Sequence, residues 1–280
     1  MILTCDNNDN LVEHIKNDVD EIKTYYRKNG LSINLSKSKY MTFGINATQN
    51  SLNEFMSSNR IERVEMIKYL GITLDERLKF DDHANNLVRK LSQSVNAMKV
   101  INNYLPEYSK LQFYNAFVGS HIFYSGFLLC RMSCDDINRL QRIQNKSLKI
   151  AYNLELRYST EDLYTKIATN ILPITGIAYF NLLLLVKKQL ISQEDDVDFV
   201  LIPEGRRRQQ IKFARYSKNV LAKDFSCLGP LIYNQLPLEM REMKSYNAFK
   251  KKLKAYLLDN KQIFLRGNQL NVNNMFRIEN

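Results

Sequence analysis

Tryptophan is absent, and cysteine and histidine are scarce: four cysteines and three histidines in 280 residues. Cys5, Cys130, Cys134 and Cys227 are unevenly spaced, and no CxxC pair is followed by a His pair at zinc-finger distance. That removes the zinc-finger reading and leaves free thiols in a reducing, intracellular compartment, nuclear or cytoplasmic. His14, His83 and His121 each lack a ligand-spaced partner and read as structural hydrogen-bonding groups. Serine-hydrolase, Walker and dinucleotide signatures are missing. Long apolar runs are missing too. The most apolar stretch, residues 177–186, is interrupted by Asn181 and falls short of the ~20 residues of a membrane span. The N-terminal MILTCDNNDN carries no basic region ahead of an apolar core, so it does not read as a secretory signal.

What the chain does carry is positive charge and enough apolar residues for a core. Net charge is +11, a field that favours polyanions because each phosphate contact releases condensed counterions. An apolar content of 45% excludes a wholly disordered chain at this length.

Periodicity predicts an α+β N-terminal region, residues 1–75. A helix over 11–26 places Leu11, Ile15, Val19, Ile22 and Tyr26 on one face and ends at Asn29-Gly30. Strands over 32–35, 39–43, 60–65 and 67–74 then form an antiparallel group. Residues 76–192 read as helical. Leu87, Leu91, Val95, Met98 and Ile101 make one stripe, and Leu111, Tyr114, Val118 and Ile122 make a second. A helix over 136–152 buries Ile137, Leu140, Leu148 and Ala151. On its other side Arg139, Arg142, Lys146 and Lys149 fall within about one quarter of the circumference. That single-sign stripe suits a phosphate backbone, with Gln141, Gln144 and Asn145 as sequence-tolerant hydrogen-bonding groups; a solvated helix face is the competing reading.

A linker is expected over 192–208, where Glu194, Asp195, Asp196 and Asp198 give way to Arg206, Arg207 and Arg208. The basic C-terminal module, residues 193–260, has a turn at Gly229-Pro230 and a closing helix capped by Ser245. Residues 261–280, rich in Asn and Gln, are expected to be poorly ordered. The basic segment adds Lys212, Arg215 and Lys218 to the arginine run, with Phe213 and Tyr216 interleaved for stacking. A nuclear-import signal and a plain linker are its alternatives.

Several short motifs occur in a fixed order. Leu31-Ser32-Ile33-Asn34-Leu35-Ser36-Lys37-Ser38-Lys39 is followed by Lys68-Tyr69-Leu70-Gly71 and by Phe80-Asp81-Asp82-His83. Leu140-Gln141-Arg142-Ile143-Gln144-Asn145-Lys146 comes next, then Leu228-Gly229-Pro230-Leu231-Ile232-Tyr233-Asn234. Together these resemble the end of the palm, the thumb and the C-terminal region of a non-LTR retrotransposon reverse transcriptase of the jockey-like lineage. Tyr233 stands where that family usually has tryptophan.

The resemblance implies an RNA-directed DNA polymerase fold in which Lys68, Tyr69, Leu70 and Gly71 form the primer grip. It also implies that Lys37 occupies the position of a lysine able to act as general acid toward departing pyrophosphate. The family's Tyr-x-Asp-Asp turn, whose aspartates hold Mg²⁺, precedes the matched region and is not among these residues. The expectation is therefore a nucleic-acid-binding fragment, inactive alone, without its own cofactor or membrane association, whose missing partner is the upstream polymerase portion. A domesticated or residual binding module and a non-functional relic are the alternatives. Asp6 with Asp9, and Asp81 with Asp82, read as caps and solvated acids rather than a replacement metal site.

Overall fold

The first helix stops where Asn29-Gly30 predicts. In the computed structural model, which describes residues 8–43, 49–192, 200–201, 211–212 and 225–266, α1 runs Asn8–Lys28. Gly30 has φ +67°. Leu31 N–H donates to Tyr26 O (2.9 Å) and Gly30 N–H to Arg27 O (3.2 Å), the paired bonds of a Schellman terminus, which satisfy carbonyls the helix would otherwise leave open.

The chain divides into two compact units, 1–83 and 84–280. In the first, Ile15 of α1 packs with Leu52 and Met56 of α2 (Gln49–Ser58), edged by Val12, Val19, Tyr40, Phe55 and Ile61. Along the predicted stripe Ile15 is buried, Val19 and Ile22 are half-buried, and Tyr26 at the far end of α1 is exposed, as is Tyr25 beside it. The strands also depart from expectation. Residues 32–34 are not a strand, and Leu35–Lys37 is a 3-10 turn capped by the Asn34 side chain. β1 (Lys39–Tyr40) pairs with β2 (Glu62–Arg63) in parallel, not antiparallel. Parallel neighbours need a crossover connection, and α2, absent from the sequence reading, supplies it. The stretch read as one strand over 67–74 is a hairpin of β3 (Met66–Tyr69) and β4 (Ile72–Asp75), paired antiparallel with Tyr69 opposite Ile72.

Two polar groups tie the end of the hairpin down. Thr73 N–H donates to His83 Nδ1 (3.4 Å) at the start of α3 (Asp81–Ile101). Burial lowers the His83 pKa, keeping the acceptor nitrogen unprotonated. The Asp75 carboxylate accepts from the N–H groups of Phe80 (2.9 Å), Lys79 (3.2 Å) and Arg77 (3.0 Å). Burial raises its pKa, but those backbone bonds outweigh it and hold the group below its ordinary value. Asp81 and Asp82 occupy the first turn of α3, where carboxylates favour the helix N-terminus.

The second unit is helical. Leu87, Leu91, Val95 and Met98 of α3 are buried, as are Tyr114, Val118 and Ile122 along α4 (Glu107–Tyr114), a π-helical turn (Asn115–Gly119) and α5 (Ser120–Tyr124). α6 (Cys134–Ala151) is capped by the Ser133 hydroxyl and packs on α4. A short α7 (Thr160–Asp162) leads to α8 (Ile174–Ser192), apolar on every side. By length and composition α8 could cross a membrane, yet 67% of its apolar window is buried inside the structure. It is the core helix of this unit, flanked by α5, α6 and Leu128–Cys130 as well as by the C-terminal helices.

α9 (Phe225–Tyr233) overturns the Gly229-Pro230 turn, since both residues lie inside it. A methyl group on Gly229 would lie 2.7 Å from Val186 Cγ2. The glycine therefore serves close packing of α9 on α8 rather than a change of chain direction. β5 (Val200–Leu201), within the expected linker, pairs antiparallel with β6 (Ile211–Lys212), just beyond it. The Asn234 side-chain amide accepts from Ile211 N–H (2.8 Å) and donates to Ile211 O (2.9 Å), a side-chain imitation of strand pairing that fixes the buried Ile211 to the end of α9. α10 (Leu238–Arg241) precedes α11 (Tyr246–Asp259), where Ser245 caps as expected and Phe249, Leu253 and Leu257 are buried. The expectation of poor order from 261 fails at its start. Lys261 Nζ donates to Thr169 O (2.8 Å), and α12 (Gln262–Arg266) sets Phe264 against Tyr179, ring centres 5.8 Å apart. Residues 267–280 lie outside the described residues.

Candidate nucleic-acid interface

The Lys68-Tyr69-Leu70-Gly71 motif forms the tip of the β3–β4 hairpin. Leu70 (φ 47°) and Gly71 (φ 84°) are both left-handed, the arrangement whose twist matches a two-residue hairpin. Glycine adopts that backbone freely; leucine at such an angle costs about 1 kcal/mol. Lys68 is exposed, Tyr69 is 46% exposed and Leu70 71%, so the Tyr69 ring is not part of the core. An outlying backbone angle under an exposed apolar side chain directs attention to function. Leu70→Asn, which tolerates the left-handed angle, is expected to stabilise the chain by up to about 1 kcal/mol in urea denaturation while weakening nucleic-acid affinity. Loss of stability instead would assign Leu70 a packing role.

Lys37 ends the 3-10 turn and is exposed. Nearby Lys39 is held by Glu62 across β1 and β2.

The four cations of α6 divide. Arg142 is exposed. Arg139 Nη1 is shared between Asp136 Oδ1 (2.9 Å) and Asn85 Oδ1 (2.8 Å). Lys146 is half-buried beside Lys99 of α3, and burial together with the Lys99 ammonium lowers its pKa. Lys149 leaves the stripe altogether, being buried with Nζ donating to Leu156 O (2.8 Å). The reason is its place in the last turn, where a chain that folds back offers its carbonyl to the nearest cation.

Gln141, Gln144 and Asn145 do not face a ligand. Gln144 is fully buried; its Nε2 donates to Tyr114 Oη (3.1 Å) and Leu172 O (3.0 Å), and its Oε1 accepts from Tyr164 Oη (2.9 Å). Gln141 donates to Gln144, Asn145 and Tyr164 and accepts from Ile174 N–H (2.8 Å). Burial pushes the Tyr114 phenol up to about 12 and raises that of Tyr164, so both hydroxyls stay neutral donors and acceptors. This network joins α4, α6 and the start of α8, and it consumes the groups expected to contact nucleic acid.

Lys212 lies in β6. Arg206, Arg207, Arg208, Arg215 and Lys218 lie outside the described residues. The described part of their segment is pinned by Asn234 at Ile211.

Sequence reasoning missed a set of exposed aromatic residues from the end of α3 to just past α5: Tyr104 (84% exposed), Tyr108 (71%), Phe117, Phe123, Tyr124 and Phe127. In one sequence an exposed tyrosine reads like a core one, because its ring satisfies the same periodic pattern. Among the described residues no group of histidine, cysteine and carboxylate side chains is placed to hold a metal ion. Comparison with protein-family models, curated proteins and solved structures finds no match to this chain.

Proposed function

We propose that these 280 residues correspond to the end of the palm, the thumb and the C-terminal region of a non-LTR retrotransposon reverse transcriptase, and that they bind primer–template nucleic acid without synthesising DNA by themselves. The observation that carries this reading is the hairpin tip. The Lys68-Tyr69-Leu70-Gly71 motif, in its expected order after Lys37 and Lys39, is presented to solvent on a strained tight turn. A net charge of +11 and an exposed Arg142 that forms no ion pair among the described residues support the same reading through phosphate attraction. The family's magnesium-holding aspartates would come from an upstream polymerase portion, the partner this reading requires. The setting is intracellular.

A mobility-shift titration against a primer–template, with parallel primer extension in magnesium and deoxynucleotides, tests both halves. Expected are binding at low salt that weakens steeply as salt rises, further weakening when Arg206, Arg207, Arg208 and Lys212 are neutralised, and no extension. Absence of low-salt binding overturns the reading; measurable extension overturns the inactivity.

A further inference from the structure

In a chain where Lys, Arg, Asp and Glu make up 25% of residues, the stretch from Tyr108 to Phe127 contains only Lys110 of these four types. Lys110 is buried, with Nζ donating to Asn153 Oδ1 (2.6 Å). His121 is half-buried, and burial lowers its pKa, which keeps it neutral near neutral pH. The solvent side of this segment is therefore uncharged. It is also aromatic: Tyr108 is exposed, as are Phe117, Phe123 and Tyr124.

The backbone holds these rings toward one side. α4, the π-helical turn and α5 run on without a break from Glu107 to Tyr124, with right-handed helical residues at both junctions. In a regular α-helix a row of every fourth residue slips about 40° per step, so Tyr108 and Tyr124 would face almost opposite ways. The π-turn takes up one extra residue, which sets the row back by about 100°. Burial follows the corrected register. Tyr108, Gln112, Ala116, Ser120 and Tyr124 are exposed, whereas Lys110, Tyr114, Val118 and Ile122 are buried. Phe117 borders the row, its ring centre 4.5 Å from that of Phe113. Single π-turns of this kind occur frequently at functional sites.

Composition and area select the occupant. A nucleic-acid surface needs cations for phosphate, and a helix lying in a membrane interface sets Lys or Arg beside its apolar face; this helix face has neither. Exposed Tyr and Phe with Lys, Glu and Asp depleted is the composition of a protein–protein interface core. At a net charge of +11 two copies repel over most of their surface, and an uncharged face is where they can meet. A ridge of every-fourth residues fits the grooves of an identical ridge at a crossing angle of about −50°. A twofold axis near Ala116, midway along the row, brings the two ridges together. The six exposed rings from Tyr104 to Phe127 are each open over about half their surface or more. At roughly 200 Å² per aromatic side chain they offer about 700 Å², close to the roughly 800 Å² per partner of a stable interface.

We infer that the solvent face of α4 and α5 is a homodimer interface, in which two copies of this chain pack the Tyr108–Tyr124 face against itself about a twofold axis near Ala116. This interface does not depend on the nucleic-acid reading above.

Analytical ultracentrifugation of the full chain over a concentration series is the test, at high salt so that residual nucleic acid is released. A reversible monomer–dimer equilibrium is expected, and it should persist as salt rises because the contact is apolar. Ala116→Arg places two cations at the twofold axis and is expected to weaken dimerisation about tenfold or more; Ala116→Glu should do the same, and an equimolar mixture of the two should restore the dimer. Tyr108→Ser with Tyr124→Ser, which leaves the π-turn untouched, should weaken it by a similar factor without loss of helical circular dichroism. A wild-type chain that stays monomeric at its highest soluble concentration overturns the interface. Dimers that survive both the arginine and the double serine changes place the contact on another face and overturn it equally. A monomeric wild-type chain that floats with neutral phosphatidylcholine vesicles, and loses this with the double serine change, overturns it in favour of a membrane surface.

Discussion

Replacing Gln144 by alanine is expected to cost about 4 kcal/mol, enough to unfold much of the helical unit under mild denaturant. The amide is fully buried and donates to Tyr114 Oη and to Leu172 O. Without it, Tyr114 Oη loses the Gln144 Nε2 donor at 3.1 Å and Leu172 O loses the one at 3.0 Å. Tyr164 fares better, because Gln141 Nε2 (2.8 Å) and Asn145 Oδ1 (3.0 Å) still hold its hydroxyl. Two orphaned buried groups at about 1–3 kcal/mol each, plus the space the amide filled, make up the loss. Gln144→Glu separates the two contributions. It keeps the volume, but a carboxylate cannot donate to Leu172 O, so the variant is expected to be as destabilised as alanine at neutral pH. It should regain part of the loss on acidification, when a protonated carboxyl donates again. Urea denaturation at neutral and mildly acid pH is the measurement. A glutamine-to-alanine change costing under about 1 kcal/mol would mean that the network relaxes around the gap.

That network also explains what could be read from the sequence and what could not. The helix carrying Gln144 is legible from Ile137, Leu140 and Leu148, whose spacing leaves one possible buried face, and from Ser133, Asp135 and Asp136 at its start. Gln144 and Gln141 lie near the edge of that face. Whether an edge amide turns inward or outward depends on partners about 20–30 residues away, which periodicity does not register. Lys149 illustrates the same point. Its angular position matches Arg139, Arg142 and Lys146, and only the carbonyl of Leu156 decides that it folds inward.

In the fold, local signals were legible and pairing partners were not. Asn29-Gly30 marks the end of α1 through backbone preference alone, and Ser245 marks the start of α11. The parallel β1–β2 pair rests on two register positions per strand and on the crossover through α2, whose Leu52, Phe55 and Met56 spacing is short and flanked by polar residues. Gly229-Pro230 misleads because the pair that marks a turn when solvated also suits a helix that must approach a neighbour closely, as α9 approaches Val186. The hairpin at Leu70-Gly71 was legible as a motif, while the strain at Leu70 is visible only in the backbone.

Lys187 provides the second large effect. Truncation to alanine is expected to cost about 3 kcal/mol, whereas Lys187→Met is expected to be neutral within about 1 kcal/mol or stabilising. The side chain is buried on α8, with Nζ donating to Arg241 O (2.8 Å) and Tyr233 Oη (3.3 Å) and lying 5.3 Å and 5.8 Å from the ring centres of Phe249 and Tyr233. It thus touches α9, α10 and α11 from the core helix, and the stem fills space that alanine would leave empty. The charge itself is nearly balanced. Withdrawing an ammonium from water costs several kcal/mol; a charged hydrogen bond returns about 1.5–3 kcal/mol, and a desolvated ring contact about 2 kcal/mol. Methionine keeps the volume, and Tyr233 Oη still donates to Arg241 O (3.1 Å), so no acceptor is orphaned. The pH dependence isolates the charge. Burial lowers the Lys187 pKa from 10.5, so between the folded and unfolded values the unfolded chain binds more protons, and stability rises with pH. The Lys187 contribution is therefore fully present above 10.5 and is lost as pH falls through the lowered folded value. The wild-type chain should gain stability relative to Lys187→Met as pH rises from neutral toward 10.5. Tyr233 stays out of this range, because burial, partly countered by Arg241, raises its phenol to about 12. Paired urea titrations of both variants at the two pH values give the difference directly. A methionine variant as unstable as the alanine one would show that the ammonium, through its carbonyl and ring contacts, holds the C-terminal helices on α8 more strongly than its desolvation opposes them.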